Sequence, residues 1–280
     1  MEIIQSIAEM RARALQFRSE GKSIALVPTR GSLHEGQLSL VKLARERADV
    51  CVLSIYLNPV QVAPYEKAAF EGYNRNLDLE LCRNGNVDVA FLPAHDEFQP
   101  PDFSSYLVEE DLSAGLCGVS RPQFFRGVTT CAAKLFNIVG PDFAVFGQKG
   151  AQKTAVVRKI VRDLAFPVRI LVGPTVREPD GLAMSAHNKG LSSHQRAEAV
   201  AIGESLKIAA DMVASGVRNV DRVMAEITHH LAKFRRLRVI YVAVVHRDSV
   251  KSLREIVPGQ TLITTAVWCD ETRMVDNVLV

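Results

Sequence analysis

The sequence predicts an α/β fold in two parts. A parallel sheet with helices on both faces is expected over residues 1–173, and a smaller α+β unit over residues 174–280. Three observations lead to this. Short apolar runs alternate with helical patterns through the first two-thirds of the chain, which is how strand–helix units of a parallel sheet look in sequence. After Val176 the order changes, and two long helical patterns precede three β-rich runs. Between the two regimes, Gly-Pro and Glu-Pro-Asp-Gly punctuate residues 172–179, a boundary made of chain breakers.

The elements follow in order. The opening MEIIQSIAEMRARALQF carries interspersed charges and is expected as an amphipathic helix, not as the apolar block of a signal peptide. Residues 23–27 (SIALV) are the first expected strand, with a helix over about 36–48. Residues 50–56 (VCVLSIY) are the second strand, and 76–83 belong to a helix. Residues 87–92 (VDVAFL) form the third strand, and 127–139 alternate small and large apolar residues at helical spacing. A fourth strand is expected over 143–146, a helix with Lys and Arg on one face over 151–164, and a fifth strand over 168–172. The second part should hold helices over 193–214 and 220–234 and strands over 239–245, 261–267 and 273–280.

Bulk properties narrow the partners. The chain is 48% hydrophobic and 23% charged with a net charge of +3, so no strong field toward nucleic acid or a membrane surface is expected. No apolar run reaches the length of a membrane span. The cysteines (Cys51, Cys82, Cys117, Cys131, Cys269) are odd in number and scattered, which suggests neither a disulfide framework nor a zinc ribbon. Reduced thiols in the cytoplasm are the simplest expectation.

Polar loops follow the expected strands: Pro28, Thr29, Arg30, Gly31 and His34; Asn58 and Gln61; Gly147, Gln148 and Lys149; Thr175, Val176 and Arg177. If the strands are parallel, these loops converge on one crevice. A helix starting near Gly36 would add backbone N–H groups and a positive dipole end, which suit an anion. Any one of these residues alone is more simply an ordinary loop polar. Together they lead to a phosphate-binding α/β unit.

Five motifs carry the reading further. Pro28-Thr-x-Gly-x-Leu-His-Glu-Gly36, Asn58-Pro-x-Gln61, Arg121-Pro-x-x-Phe125-x-Gly-Val128, Pro141-Asp-x-x-x-Phe-Gly-x-Lys149 and Arg177-Glu-x-Asp-Gly-Leu-Ala-Met-Ser185 occur in this order. The set resembles the pantothenate synthetase (pantoate–β-alanine ligase) family, and Val275-Asp276-Asn277 has the family's character too. The resemblance implies a Rossmann-like sheet of the nucleotidyl-transferase type, a C-terminal lid, and a homodimer formed through the N-terminal part. It implies that Mg-ATP converts the carboxylate of pantoate to an acyl adenylate, which the amine of β-alanine then opens with release of AMP. His34, Lys149 and Ser185 would be catalytic. ATP would meet these three together with Pro28, Thr29, Arg30, Gly31, Gly36, Gln37, Gly147, Val176, Met184 and His187. Asn58, Gln61, Arg121 and Lys153 would receive the acid. No residue is assigned as a metal ligand; ATP and Mg2+ are the expected cofactors.

The sequence also departs from the family pattern. Gln37 stands for the second His of the family's H-x-G-H loop, Arg30 for a Met, and Phe124 for a His. Gly150 and Lys153 replace an Asp and a Gln, Ala186-His187 replaces Ser-Arg, and Tyr73-Asn74-Arg75-Asn76 replaces Tyr-Pro-Arg-Thr. The family's Glu-Lys-Asp-Tyr-Gln-Gln carries −1, whereas residues 148–153 carry +2 from Lys149 and Lys153. An ammonium at 153 turned inward should meet an anion, because a buried unpaired charge is costly. Three readings follow: the family reaction with compensation, adenylation of another and more anionic acid, or a scaffold that binds without catalysis. Elsewhere, His229-His230 and Arg235-Arg236-Leu237-Arg238 are expected on solvated faces, and Cys117 and Cys131 as core thiols.

Overall fold

A computed structural model describes residues 1–61 and 73–280. Its larger sheet has six parallel strands: β1 (Glu2–Ile4), β2 (Ile24–Thr29), β3 (Val50–Ile55), β4 (Val89–Phe91), β5 (Phe143–Gly147) and β6 (Arg169–Gly173). They lie in the order β1-β4-β3-β2-β5-β6. The helices between them are α1 (Ile7–Ser19), α2 (Glu35–Arg45), α3 (Arg75–Asn84), the short α4 (His95–Phe98) and α5 (Cys117–Ser120), α6 (Phe124–Val139) and α7 (Ala151–Asp163). A three-stranded antiparallel sheet of β7 (Leu237–His246), β8 (Thr261–Cys269) and β9 (Thr272–Leu279) follows α8 (Ser193–Ala214) and α9 (Val220–Leu231).

One expected element is corrected. The opening segment is not a single helix: Glu2–Ile4 is an edge strand paired with β4, so the sheet has six parallel strands and not five. Ser6 separates strand from helix, since its side chain accepts the N–H groups of Ala8 and Glu9 and starts α1 there. A three-residue strand is too short to show a period of two, and its Ile3-Ile4 pair merges with the helical pattern that follows.

Burial explains why the central strands carry so few polar residues. All six residues of β3 are buried, as expected where helices cover both faces of a parallel sheet. On β2, Ile24 and Leu26 belong to the core on one face, with Phe91, Leu135 and Val157. Ala25 and Val27 belong to the core on the other, with Val41, Leu53 and Val145. A third core joins α8 and α9 to the small sheet through Leu206, Ile227 and Ile263.

Strand order fixes where a ligand can sit. From β2 the chain proceeds to β3 on one side, and β5 pairs with β2 on the other. The loops that leave β2 and β5 therefore part in opposite directions, opening a crevice at the carboxyl end of the sheet. Strand β9 closes it from above. Asp276, buried, accepts both arms of Arg177 at 2.7 and 3.2 Å. Asn277 donates to the carbonyls of Gln148 and Lys149, both at 3.1 Å, and accepts from the Gln148 side chain at 2.9 Å.

Arg177 retains 32% of its side-chain surface, which moderates the effect of losing the pair. Asp276→Ala is predicted to lower unfolding free energy by about 2 kcal/mol, the scale of a charge-assisted hydrogen bond. Urea denaturation would check this, and an unchanged midpoint would remove the ion pair as a tie between the two sheets.

Candidate active site

The loop after β2 is shaped by backbone strain and one buried carboxylate. Gly31 has φ 83° and Ser32 φ 52°. A Cβ on Gly31 would lie 2.7 Å from the Tyr73 ring and 3.2 Å from a carboxylate oxygen of Asp78, so glycine is required twice over. Asp78 accepts the Leu33 N–H at 2.8 Å, and burial raises its pKa. It holds the turn that delivers His34.

His34 is the N-cap of α2. Its Nδ1 accepts the Gly36 N–H at 3.1 Å, and the Gln37 side-chain oxygen accepts the His34 N–H at 2.9 Å. This reciprocal box needs a short, capping-competent loop, and it answers why one histidine sits between two glycines. Burial first, then the charges of Lys149 and Lys189, lower the His34 pKa to about 4. The ring is therefore neutral near pH 7. With Nδ1 accepting, its proton is on Nε2, leaving an N–H donor beside the helix start. Gln37 uses its oxygen in the cap and keeps its amide N–H2 for other partners.

Lys149 follows β5 and comes close enough to His34 to affect its pKa. Its Nζ donates to the Met184 carbonyl at 3.0 Å and approaches that of Ala183 at 3.5 Å. Burial lowers its pKa to about 8, with Asp276 opposing. Ser185 stands next to this contact. Its hydroxyl accepts the His187 N–H at 3.3 Å and pairs with His187 Nδ1 at 3.1 Å. Asn188 fastens the same turn by donating to Glu178 at 2.6 Å and to the Ala183 carbonyl at 3.1 Å. Arg196 bridges Glu178 and Asp180 at 2.7 and 2.5 Å.

At the other end, the Gln61 carbonyl collects Arg30 at 3.1 Å and Arg121 at 2.9 Å. The Arg121 guanidinium lies 4.0 Å above the Phe124 ring. Arg30, expected with the nucleotide set, thus stands with Gln61 and Arg121, which were expected at the acid. Lys153 Nζ lies 5.6 Å from the Phe146 ring, and burial, then Arg30, lower its pKa to about 8. Gln152, one position earlier, is occupied in structure. It accepts from Cys117 N–H and donates to the carbonyls of Leu112 and Gly115.

His34, Lys149, Ser185, Arg30, Arg121 and Lys153 line one cleft of about 360 Å3. While Gln148 and Arg177, named in the converging loops, stand outside the lining, every residue expected from the family resemblance to bind or catalyse lines it except Asn58. That expectation is corrected: Asn58 is buried behind the wall, donating to the Gly127 carbonyl at 3.1 Å and accepting from Val60 N–H at 3.0 Å. It shapes the turn that carries Gln61. The lining also includes residues the sequence did not single out, Tyr241 and Arg273 from the small sheet. Cys117 and Cys131, expected as core thiols, pack against the hydrophobic cores and also reach the cleft wall. Cys117 Sγ lies 3.2 Å from the Tyr241 hydroxyl and 3.4 Å from Arg273. Among the described residues, no Asp or Glu lines the cleft, whereas Arg30, Arg121, Lys149, Lys153 and Arg273 do. Such a cleft is an anion receptor.

A cationic crevice at the switch point of a parallel sheet, with a capped helix start on its floor, defines a Rossmann-like nucleotide-binding protein. The family model described as Pantoate-beta-alanine ligase matches residues 2–279, and the chain belongs to that family. It is 44% identical to the pantothenate synthetase of Moorella thermoacetica over 281 aligned positions, covering 100% of this chain and 98% of that one. Identity to the pantothenate synthetase of Thermotoga petrophila is 43%, covering 100% and 99%. Among solved structures, a pantothenate synthetase of Thermus thermophilus superposes with a TM-score of 0.92 at 34% identity, covering 99% of each chain. A pantoate-beta-alanine ligase of Francisella tularensis, solved as a complex with beta-gamma ATP and beta-alanine, gives 0.80 at 26% identity, covering 100% and 97%.

Two predictions arise from this geometry. A Cβ on Gly36 would fall 2.8 Å from His34 Cε1 and 2.9 Å from Nδ1, so Gly36→Ala must displace the imidazole. Nucleotide affinity should drop about tenfold, the equivalent of about 1.4 kcal/mol, while thermal stability changes little; equal affinity by calorimetry would dismiss His34 as a nucleotide contact. The second concerns pH. Lys149 is a cation below about pH 8 and loses its charge above it, whereas His34 stays neutral down to about pH 4. kcat/KM for ATP, which reports free-enzyme ionisations, should be level from pH 6 to 7 and decline above about 8. A profile still level at pH 9.5 would contradict it.

Proposed function

We infer that this chain condenses pantoate with β-alanine to pantothenate through a pantoyl adenylate, consuming ATP and releasing AMP and pyrophosphate. One observation carries the reading: a neutral, proton-donating His34 at the start of α2 lies near Lys149 in a cleft that no described carboxylate lines. Family membership and the ATP-bearing relative support it.

The carboxylate of pantoate attacks the α-phosphorus of ATP, and the pyrophosphate leaves with the bonding pair. Negative charge grows on phosphate oxygens as this happens. The free N–H groups of α2, His34 Nε2–H and the Lys149 ammonium are the groups suited to receive it. Ser185 and His187 offer hydroxyl and imidazole contacts on the facing turn. Pro28, Thr29, Gly31, Gly147, Val176 and Met184 supply the walls for the nucleotide. The acid fits the other end. Gln61, Arg121 and Lys153 would orient its carboxylate, and Phe124, Phe125 and Val128 would pack its branched apolar body. Holding the two anions in line converts a slow encounter into an effectively unimolecular step. The amine of β-alanine then attacks the acyl carbon, and AMP departs with the C–O electrons.

Mg2+ belongs to this reading as part of the substrate Mg-ATP. Hard cations favour carboxylate oxygens, and the described lining provides none, so the ion would be carried by the phosphates. We also take residues 1–173 as the nucleotide-binding unit, residues 174–280 as its lid, and a homodimer through the former as the working assembly. A cytoplasmic setting accords with five free cysteines; no described helix is long and apolar enough to cross a membrane.

The purified protein should release AMP and pyrophosphate from Mg-ATP only when pantoate and β-alanine are both supplied at steady state. Lys149→Ala should reduce kcat by roughly 10²- to 10³-fold, the range for losing one preorganised donor, with the protein still folded. Release of AMP with a different acid alone, and none with pantoate, would replace the substrate assignment.

A further inference from the structure

We propose that Lys153 is a site of self-acylation: when the acid has been adenylated and no β-alanine follows, the Lys153 amine takes the acyl group and blocks the cleft. This rests on the reading above, in which Lys153 meets the carboxylate of the acid. A bond forms between Nζ and the acyl carbon, and the bond from that carbon to the AMP oxygen breaks. AMP departs with the electrons of that bond, and the new amide nitrogen sheds one proton to solvent. The product is an amide, as in the ordinary reaction, with Lys153 in the place of β-alanine. ATP has already supplied the activation, so no further reactant is needed.

Placement, freedom and protonation state all favour this residue. Lys153 lines the cleft together with Gln61 and Arg121. Among the described residues its Nζ makes no hydrogen bond or ion pair, and its ring neighbour is Phe146 at 5.6 Å. Gly150, three positions earlier, offers no side chain; even a Cβ there would lie 3.9 Å from Nζ. Lys149, by contrast, is tied to the Met184 carbonyl at 3.0 Å. An ammonium that donates to a carboxylate oxygen at about 2.8 Å has its nitrogen about 3.5 Å from the carboxyl carbon, the separation at which bound groups react. Adenylation removes the negative charge of that carboxylate. Lys153 therefore loses its anion at the moment the carbon becomes electrophilic. Burial, then Arg30, lower the Lys153 pKa to about 8, with Cys131 opposing, as for a desolvated nucleophilic lysine. At pH 7 about one Lys153 in ten is then the free amine, roughly 300 times the fraction for an exposed lysine. The Cys131 thiol, pushed up to about 12 by burial, stays protonated and does not compete.

The experiment is intact-protein mass spectrometry after incubation with Mg-ATP and pantoate, with and without β-alanine, followed by peptide mapping. Without β-alanine the parent should gain one pantoyl group at Lys153, and with saturating β-alanine at least tenfold less. Its later AMP release with both substrates should fall in proportion to the adduct. The adduct formed per pyrophosphate released should rise from pH 6 to about pH 8, as ammonium gives way to amine. Lys153→Arg keeps a cation for the acid but has no nucleophilic amine. It should still release pyrophosphate in the first turnover and carry no adduct, with ATP binding by calorimetry as the sign of a folded cleft. Pyrophosphate release by the parent with no adduct would overturn the proposal. An adduct that maps to Lys149, or one that persists in Lys153→Arg, would overturn it too. If the parent releases no pyrophosphate with pantoate, the underlying reading of the reaction fails and takes this inference with it.

Discussion

Among the described residues the cleft gathers cations with no carboxylate in its lining, and much of the surrounding structure serves to hold them there. Backbone carbonyls are the device. Arg30 and Arg121 share the oxygen of Gln61, and Lys149 uses that of Met184. A carbonyl dipole orients a cation without itself cancelling its charge. Carboxylates enter one layer back: Asp276 holds Arg177, and Glu178 and Asp180 share Arg196. Those pairs fix the loops that provide the carbonyls. Had any of these acids stood in the lining, an internal ion pair would have competed with the triphosphate for each cation.

The same economy explains why the site spans both sheets. Asn277 binds the carbonyls of Gln148 and Lys149, which sets the direction in which Lys149 leaves β5. Asp276, its neighbour in sequence, acts on the loop after β6 through Arg177. Two consecutive residues of β9 point to opposite faces of their strand, yet the Asp276 carboxylate also accepts the Asn277 N–H at 2.8 Å. A strand added late in the chain thereby fixes the ends of two strands laid down earlier.

Strand–helix alternation was legible because it depends on local apolar periodicity. Helix α8 spans 193–214 as expected, and its Ser192–Gln195 capping box is written in adjacent residues. The edge strand β1 was not legible, since its three residues gain strand character only from pairing with β4. At the site, His34, Lys149 and Ser185 could be found from motif order. What Asn58 does could not: its amide is engaged with Gly127, distant in sequence, where a Cβ would come within 3.0 Å of the Gln61 side chain. Arg273 and Tyr241 escaped notice for a similar reason, because they reach the cleft only when the small sheet folds over it. The placement of Cys117 between them depends on that same long-range packing.

The departures from the family pattern look different once their surroundings are known. Gln37 is not merely a lost imidazole, for its side-chain oxygen completes the cap that positions His34. His187 cannot carry a fixed charge as an arginine would, but its Nδ1 is tied to Ser185 within the turn that Lys149 supports. Gly150 leaves room beside Lys153, whose Cε would lie 3.3 Å from a Cβ at that position. A small residue at 150 and a long cation at 153 are thus compatible as a pair, where an Asp at 150 would have stood within reach to neutralise the ammonium. Relative to the family pattern, a positive charge is absent at position 187 and present at positions 30 and 153, and local packing has changed with it. A ligand that binds only the folded state stabilises it by RT ln(1 + [L]/Kd), so each anion the cleft takes up should add to the stability of the fold that builds it.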